Sequence, residues 1–77
     1  MNLTVDQIRF LELLADGKAR TYVHVVKHFG MPLTPMAPTF TNNLAKPLRK
    51  AKLVKQNIGG GYKITTAGLE ALKAAKA

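Results

Sequence analysis

The sequence predicts a small α+β domain in which three helices precede a β-hairpin and a short last helix. Its 77 residues form one domain, residues 1–77, near the lower size limit for independent folding. Apolar residues recur at helical spacing as far as Ala51 and alternate with polar residues from Leu53 onward. Three consecutive glycines, Gly59, Gly60 and Gly61, interrupt the alternating run. This combination predicts two short strands joined by a turn.

The positive charge is concentrated in the middle of the chain. Twelve Lys and Arg residues against four Asp and Glu residues give a net charge of +8. Asp6, Glu12 and Asp16 lie near the start and Glu70 lies near the end, so residues 17–69 carry nine basic residues and no acid. A field of one sign favours a polyanionic partner, most often nucleic acid. The alternative is that the charge only keeps a small protein soluble.

The composition argues against several other classes of protein. There is no cysteine, which removes disulfides, thiolate metal sites and a cysteine nucleophile. There is no serine either, and the acids are scattered, so a catalytic set cannot be assembled and we expect no enzymatic activity. No apolar stretch approaches the roughly 20 residues of a membrane span. The segment MNLTVDQ lacks the features of a signal peptide. We expect a cytoplasmic protein with no membrane contact.

Two histidines have the spacing of a metal site. His24 and His28 are four residues apart on the outer face of the second predicted helix, as two zinc ligands could be. A third ligand would have to come from a distant end of the chain, because residues 17–69 contain neither cysteine nor acid. We therefore expect two surface histidines, no metal and no other cofactor.

The first helix is predicted from Thr4 to Ala15. Thr4 and Gln7 have the spacing of a capping box, in which each side chain accepts a hydrogen bond from the other's backbone N–H. Val5 and Leu13 fall toward the polar side and are candidates for contact with a partner. The predicted apolar face comprises Ile8, Phe10, Leu11, Leu14 and Ala15.

The second helix is predicted from about Tyr22 to Phe29, between Thr21 as N-cap and Gly30 as stop signal. Residues 31–38, MPLTPMAP, contain three prolines and are predicted as a loop of restricted backbone. The predicted apolar stripe of this helix comprises Tyr22, Val25, Val26 and Phe29.

The third helix is predicted to start near Pro38 or Thr39. Pro47 falls inside it and removes one backbone hydrogen bond, so we expect a kink there or an early end to the helix. The predicted core stripe comprises Phe40, Leu44, Leu48 and Ala51. The predicted outward face comprises Thr39, Asn42, Asn43, Lys46, Arg49 and Lys50.

The hairpin is predicted from the segments LVKQNI, residues 53–58, and YKITT, residues 62–66. A short extended piece, residues 19–21, is a candidate third strand. Thr65 or Thr66 then caps a last helix over about Ala67 to Lys76. Leu69 and Leu72 are predicted to face inward.

With these elements in order, the chain resembles a winged helix-turn-helix DNA-binding domain of the bacterial and phage transcriptional regulator type. The segments LAKPLRKAKLV, residues 44–54, and GGGYKITTAGLEAL, residues 59–72, are similar to the family's recognition helix, glycine-tipped wing and Thr-x-x-Gly helix start. The resemblance implies a three-helix core, a two- or three-stranded antiparallel wing and a short C-terminal helix. The family usually has glycine where this chain has Lys52, at a helix exit that favours positive φ, so mild strain is expected there.

The resemblance implies double-stranded DNA as the partner, with the third helix in the major groove. Asn pairs well with adenine, and Lys or Arg reaches guanine or phosphate. The wing tip is predicted at Gly59, Gly60 and Gly61, where a simple turn and a close approach to DNA would both suit glycine. The predicted base contacts are Thr39, Asn42, Asn43 and Lys46. The predicted phosphate contacts are Arg20, Arg49, Lys50, Lys55 and Lys63.

Two other classes of function stay open. A winged helix can serve as a protein-interaction module, binding a partner protein through its basic face or through Val5 and Leu13. It can also bind RNA or single-stranded DNA through stacking on Tyr22 and Tyr62, although packing explains both tyrosines better. A homodimer would have only the small apolar seam of the last helix to use.

Overall fold

Helices and strands follow one another in the predicted order. The computed structural model describes residues 2–57 and 59–76. Its elements are α1 (Val5–Leu14), α2 (Tyr22–His28), α3 (Ala37–Lys50), β1 (Val54–Gln56), β2 (Tyr62–Ile64) and α4 (Thr66–Lys76). Over the described residues the fold is therefore α+β, with four helices and one two-stranded antiparallel sheet. No helix in this part of the chain is long and apolar enough to cross a membrane.

The start of α1 is fixed by the predicted capping box. The Gln7 N–H donates to Thr4 Oγ1 at 3.1 Å, and the Thr4 N–H donates to Gln7 Oε1 at 2.9 Å. Ala15 is exposed rather than part of the apolar face, because it lies past the last helical residue. Leu13, predicted on the polar side, is partly buried against the core. Val5 remains 73% exposed.

The second helix is capped at both ends by local contacts. His24 Nδ1 lies 3.4 Å from the Thr21 backbone nitrogen and 3.1 Å from Thr21 Oγ1, so this histidine takes the capping role that Gln7 has in α1. Gly30, with φ of +70°, closes the other end. Tyr22 was wrongly predicted in the core: it is 38% exposed, like Val23 and His24 in the same turn of the helix.

The third helix is turned about its axis relative to the prediction. Leu48 is fully buried as expected, whereas Phe40 and Leu44 are half-buried and Ala51 lies exposed beyond the helix. The small residues at the core let α3 approach its neighbours closely, and the larger Phe40 then packs edge-to-face on Phe29, with ring centroids 5.7 Å apart. The buried residues of α3 are Ala37, Thr41, Ala45 and Leu48.

Pro47 does not end the helix, so that part of the prediction was wrong. The helix runs unbroken from Ala37 to Lys50 with Pro47 inside it and exposed to solvent. Ala45 and Leu48, on either side of the proline, are both fully buried. Burial of such residues, rather than backbone propensity, holds most helices together, which explains how the helix tolerates the lost hydrogen bond.

The hairpin has a fixed register. Its Cα partners are Val54 with Ile64, Lys55 with Lys63, and Gln56 with Tyr62. The candidate third strand is reduced to a single bridge, in which the Arg20 N–H donates to the Tyr62 carbonyl at 2.9 Å and the Tyr62 N–H donates to the Arg20 carbonyl at 2.7 Å. Ile58, predicted at the end of the first strand, lies outside the described residues.

The three glycines play different parts in the turn. Gly60 has φ of +86°, and its N–H donates to the Asn57 carbonyl at 3.0 Å. Gly59 is exposed, with open space where a Cβ would stand. Gly61 was predicted at the tip but is buried, because the bridge to Arg20 brings that residue's carbonyl within 3.2 Å of the position a Cβ would take. The exposed tip therefore includes Gly59 and Gly60 but not Gly61.

The last helix begins at Thr66, capped by Thr65. The Gly68 N–H donates to Thr65 Oγ1 at 3.0 Å, while the same hydroxyl donates to the carbonyls of Lys52 and Leu53. Gly68 and Leu72 are the buried residues of α4. Leu72 is buried as predicted, whereas Leu69 is 43% exposed, so its predicted inward position was wrong: Gly68, not Leu69, faces the core in that turn of the helix.

Candidate nucleic-acid interface

The predicted base contacts form one exposed stripe along α3. Thr39, Asn42, Asn43 and Lys46 are all exposed, and their spacing places them on neighbouring turns of one helix face. Over residues 2–57 and 59–76, no side-chain hydrogen bond or ion pair engages any of the four. Their donors and acceptors are therefore available to a ligand. α3, at 14 residues and hence about 21 Å, is long enough to lie along a major groove.

The end of α3 is joined to the hairpin by one side-chain contact. The Arg49 guanidinium donates a hydrogen bond to Gln56 Oε1. Arg49 is half-buried, Lys50 beside it is exposed, and Lys55 lies next to Gln56 on β1. This contact joins the end of α3 to β1. We call the resulting surface the basic face, which consists of Lys46, Arg49, Lys50, Lys55 and Lys63.

Two lysines of the basic face stand directly opposite each other. Lys55 and Lys63 are Cα partners in the antiparallel pair, so their side chains leave the same side of the hairpin. Like charges directly opposite each other destabilise a two-stranded pair. An anion bound at this pair would reduce that repulsion.

The acids that form ion pairs do so with cations outside the basic face. Asp16 pairs with Arg20 at 2.6 Å, and Glu12 pairs with Lys76 at 3.1 Å. The Lys18 N–H, which donates to Asp16 Oδ1 at 3.0 Å, and the Arg20 guanidinium together hold the pKa of Asp16 below its ordinary value. In the described part of the chain, these two are the salt bridges. The five cations of the basic face consequently have no acidic partner there.

Arg20 does not join the basic face as predicted. Its backbone bridges Tyr62 at the turn end of the hairpin, but its guanidinium is turned to Asp16. Spacing could have suggested this pair, since the two residues are four apart, yet the chain between them is a loop rather than a helix. Arg20 is therefore a cation whose charge is already compensated.

Two residues at this site were not among the predicted contacts. Gln56 positions Arg49, and Lys52 stands at the exit of α3 with φ of +64°, which confirms the strain expected there. An open groove lies between the end of α3, β1 and the start of α4. It is lined by Arg49, Lys52, Val54, Lys55, Gln56 and Thr65. The sequence analysis expected strain at Lys52 from a basic residue at a position that favours glycine, but assigned its side chain no contact.

The histidines and tyrosines lie elsewhere. His28 packs edge-to-face on Phe29, with ring centroids 5.9 Å apart, and His24 is used in the cap of α2. Tyr62 is buried against Phe10 at 5.9 Å, which leaves it unable to stack on a base. Of the two tyrosines, only Tyr22 offers an exposed ring.

Comparison of the chain with protein-family models, with curated proteins and with solved structures gave no match.

Proposed function

We propose that this chain is a winged-helix protein that binds double-stranded DNA, as a small transcriptional regulator or accessory factor. In this proposal α3 lies in the major groove and the hairpin lies along the sugar–phosphate backbone. The observation that carries it is the basic face, five cations on adjoining elements with no acidic partner among the described residues. Cations arranged in this way neutralise phosphates and release the counterions condensed on DNA, which supplies most of the affinity.

The exposed stripe of α3 is suited to base recognition. Asn42 and Asn43 present amides that can donate to and accept from adenine in the major groove, and Lys46 follows one turn later, within reach of guanine. Asn42 and Asn43 lie in the first half of α3, and Lys46 lies past its midpoint. The phosphate-binding cations Arg49 and Lys50 follow at its end. This order resembles that of recognition helices whose N-terminal residues contact base edges in the major groove.

The amides of α3 provide the test of sequence recognition. We expect a selection from random-sequence duplexes to enrich a preferred site, and the double variant Asn42→Ala, Asn43→Ala to lose most of the preference for it. Each good base contact contributes about 1–3 kcal/mol of discrimination between bases. The ratio of the affinity for the preferred site to the affinity for random-sequence duplex should therefore fall at least about tenfold. Affinity for random duplex should stay close to wild type, since no charge changes.

Asn2→Ala serves as the matched control, because Asn2 is exposed but lies before α1 and outside the proposed interface. A double variant that keeps the full preference would contradict the role given to α3. Better competition by single-stranded DNA or RNA than by duplex would instead favour the single-strand alternative, with Tyr22 as the available stacking residue.

A second candidate function is protein binding, favoured by the loop before α3. Met31, Leu33 and Met36 are 41%, 62% and 64% exposed, and prolines between them restrict the backbone. Contiguous exposed apolar side chains are typical of protein-interaction sites. This alternative predicts one stoichiometric protein partner and no binding to duplex DNA at low salt.

A further inference from the structure

The end of α3 has the same hydrogen-bonding pattern as the end of α2. In α2 the Gly30 N–H donates to the Lys27 carbonyl and the Met31 N–H donates to the Val26 carbonyl. At the end of α3, likewise, the N–H groups of Lys52 and Leu53 donate to the carbonyls of Arg49 and Leu48. Both are Schellman motifs, whose closing residue must adopt a left-handed conformation. The chain uses glycine at this position in one helix and lysine in the other.

Lysine at this position is strained. Among the residues that the structure describes, Lys52 is the one non-glycine residue with positive φ, at +64°, against +70° for Gly30. A Cβ in this conformation crowds the backbone, which is why glycine is favoured. Strain of this kind persists where the surroundings hold it in place, and it often accompanies a functional use of the side chain.

The surroundings of Lys52 hold its backbone on two sides. The Lys52 N–H donates to the Arg49 carbonyl at 3.0 Å, and the Lys52 carbonyl accepts from Thr65 Oγ1 at 2.8 Å. Thr65 is itself fixed as the cap of α4 by the Gly68 N–H. Contacts to α3 and to the cap of α4 therefore hold the backbone of Lys52 in place.

Lys52 shares its groove with two other cations. The groove is lined by Arg49, whose guanidinium donates to Gln56 Oε1, and by Lys55 of β1, together with Val54. Over residues 2–57 and 59–76, none of the three cations forms a salt bridge. Three cations thus line one open groove, and phosphate oxygens accept hydrogen bonds from both Arg and Lys donors.

We propose that this groove binds one phosphate of the DNA backbone, and that the side chain of Lys52 is its central donor. The proposal rests on the proposed DNA binding and adds a defined anchoring point where α3 meets the hairpin. Lys52 acts through its ammonium group, Arg49 supplies a second donor, and Thr65 is a positioning residue whose hydroxyl is already used within the protein.

The variant Lys52→Gly tests the proposal because it should change stability and binding in opposite directions. Glycine relieves the left-handed strain, so we expect Tm to rise by about 4 °C or more. Loss of one phosphate contact should weaken binding to random-sequence duplex about tenfold at roughly 0.05 M salt, and reduce the slope of log K against log salt by about 0.9. Circular dichroism during thermal unfolding gives Tm, and fluorescence anisotropy on the same preparation gives the affinity for duplex DNA.

Two control variants distinguish a specific phosphate contact in the groove from an effect of the protein's net charge. Lys52→Arg keeps the cation and should bind duplex like the wild type. Lys73→Gln removes one charge from α4, outside the groove, and should weaken binding much less than Lys52→Gly does. A Lys52→Gly variant with wild-type affinity and slope, or a Lys73→Gln variant that is weakened equally, would overturn the groove assignment and leave DNA binding standing. Absence of duplex binding by the wild type would overturn both proposals.

Discussion

Replacing Lys50, Lys55 and Lys63 together with glutamine should lower the affinity for duplex DNA about a thousandfold at roughly 0.05 M salt. Each cation that neutralises a phosphate contributes a factor of about ten under these conditions, through release of condensed counterions. Fluorescence anisotropy with a labelled random-sequence duplex measures the change. The stability of the triple variant should not fall, because none of these lysines forms a salt bridge in the described part of the chain. Loss of the opposed pair Lys55 and Lys63 even removes a repulsion.

The matched control removes the same charge from other surfaces. Lys18, Lys27 and Lys73 lie outside the basic face, and their joint replacement with glutamine also lowers the net charge by three. Its effect on binding should be much smaller, because at moderate salt an exposed charge acts only over about one Debye length, roughly 10 Å. Equal losses in the two triple variants would mean that the affinity depends on net charge alone, and would contradict an interface at α3 and the hairpin.

The variant Gly68→Ala should destabilise the fold by about 3 kcal/mol or more. A Cβ on Gly68 would lie 2.1 Å from the Leu53 carbonyl oxygen and 2.7 Å from Ile64 Cγ1. Because the nearest atom belongs to the backbone, the added methyl group can be accommodated only if α4 moves away from the end of α3 and from the hairpin. Helix propensity alone predicts the opposite, a gain of up to about 1 kcal/mol for alanine. Urea unfolding followed by circular dichroism decides between the two signs.

Gly59→Ala is the control for this substitution. Gly59 has open space around the position of a Cβ, and its φ is not in the left-handed region. Its replacement should change the free energy of unfolding by no more than about 0.5 kcal/mol, as is usual for exposed positions. A stable Gly68→Ala variant would show that α4 does not pack against Leu53 as closely as the structure has it.

Features that depend on neighbouring residues in the chain were predictable. The capping box of Thr4 and Gln7 and the turn at Gly60 arise from short-range chemistry, and the structure confirms both. The strain at Lys52 was also predictable, because the helix exit favours a positive φ whatever residue occupies it. The exposure of Asn42 and Asn43 followed from their position opposite the apolar residues of α3.

Features that depend on close packing of small residues were not predictable. The hydrophobic pattern placed Phe40 and Leu69 toward the core, whereas Ala45 and Gly68 are the residues that are buried there. Small residues carry little hydrophobic signal, yet they decide how closely two elements approach. The pairing of Arg20 with Asp16 was missed for a related reason, since it depends on how a loop folds rather than on helical spacing.

The dependence of duplex binding on salt is the most direct test of the central claim, that the basic face neutralises DNA phosphates. Five cations predict a slope of log K against log salt of about −4.5, and Lys52 as a sixth contact would bring it to about −5.4. The wild-type protein should therefore give a slope between about −4 and −5.5 on random-sequence duplex, measured by anisotropy from roughly 0.05 to 0.2 M salt. A flat salt dependence, or no binding at the lowest salt concentration, would contradict it.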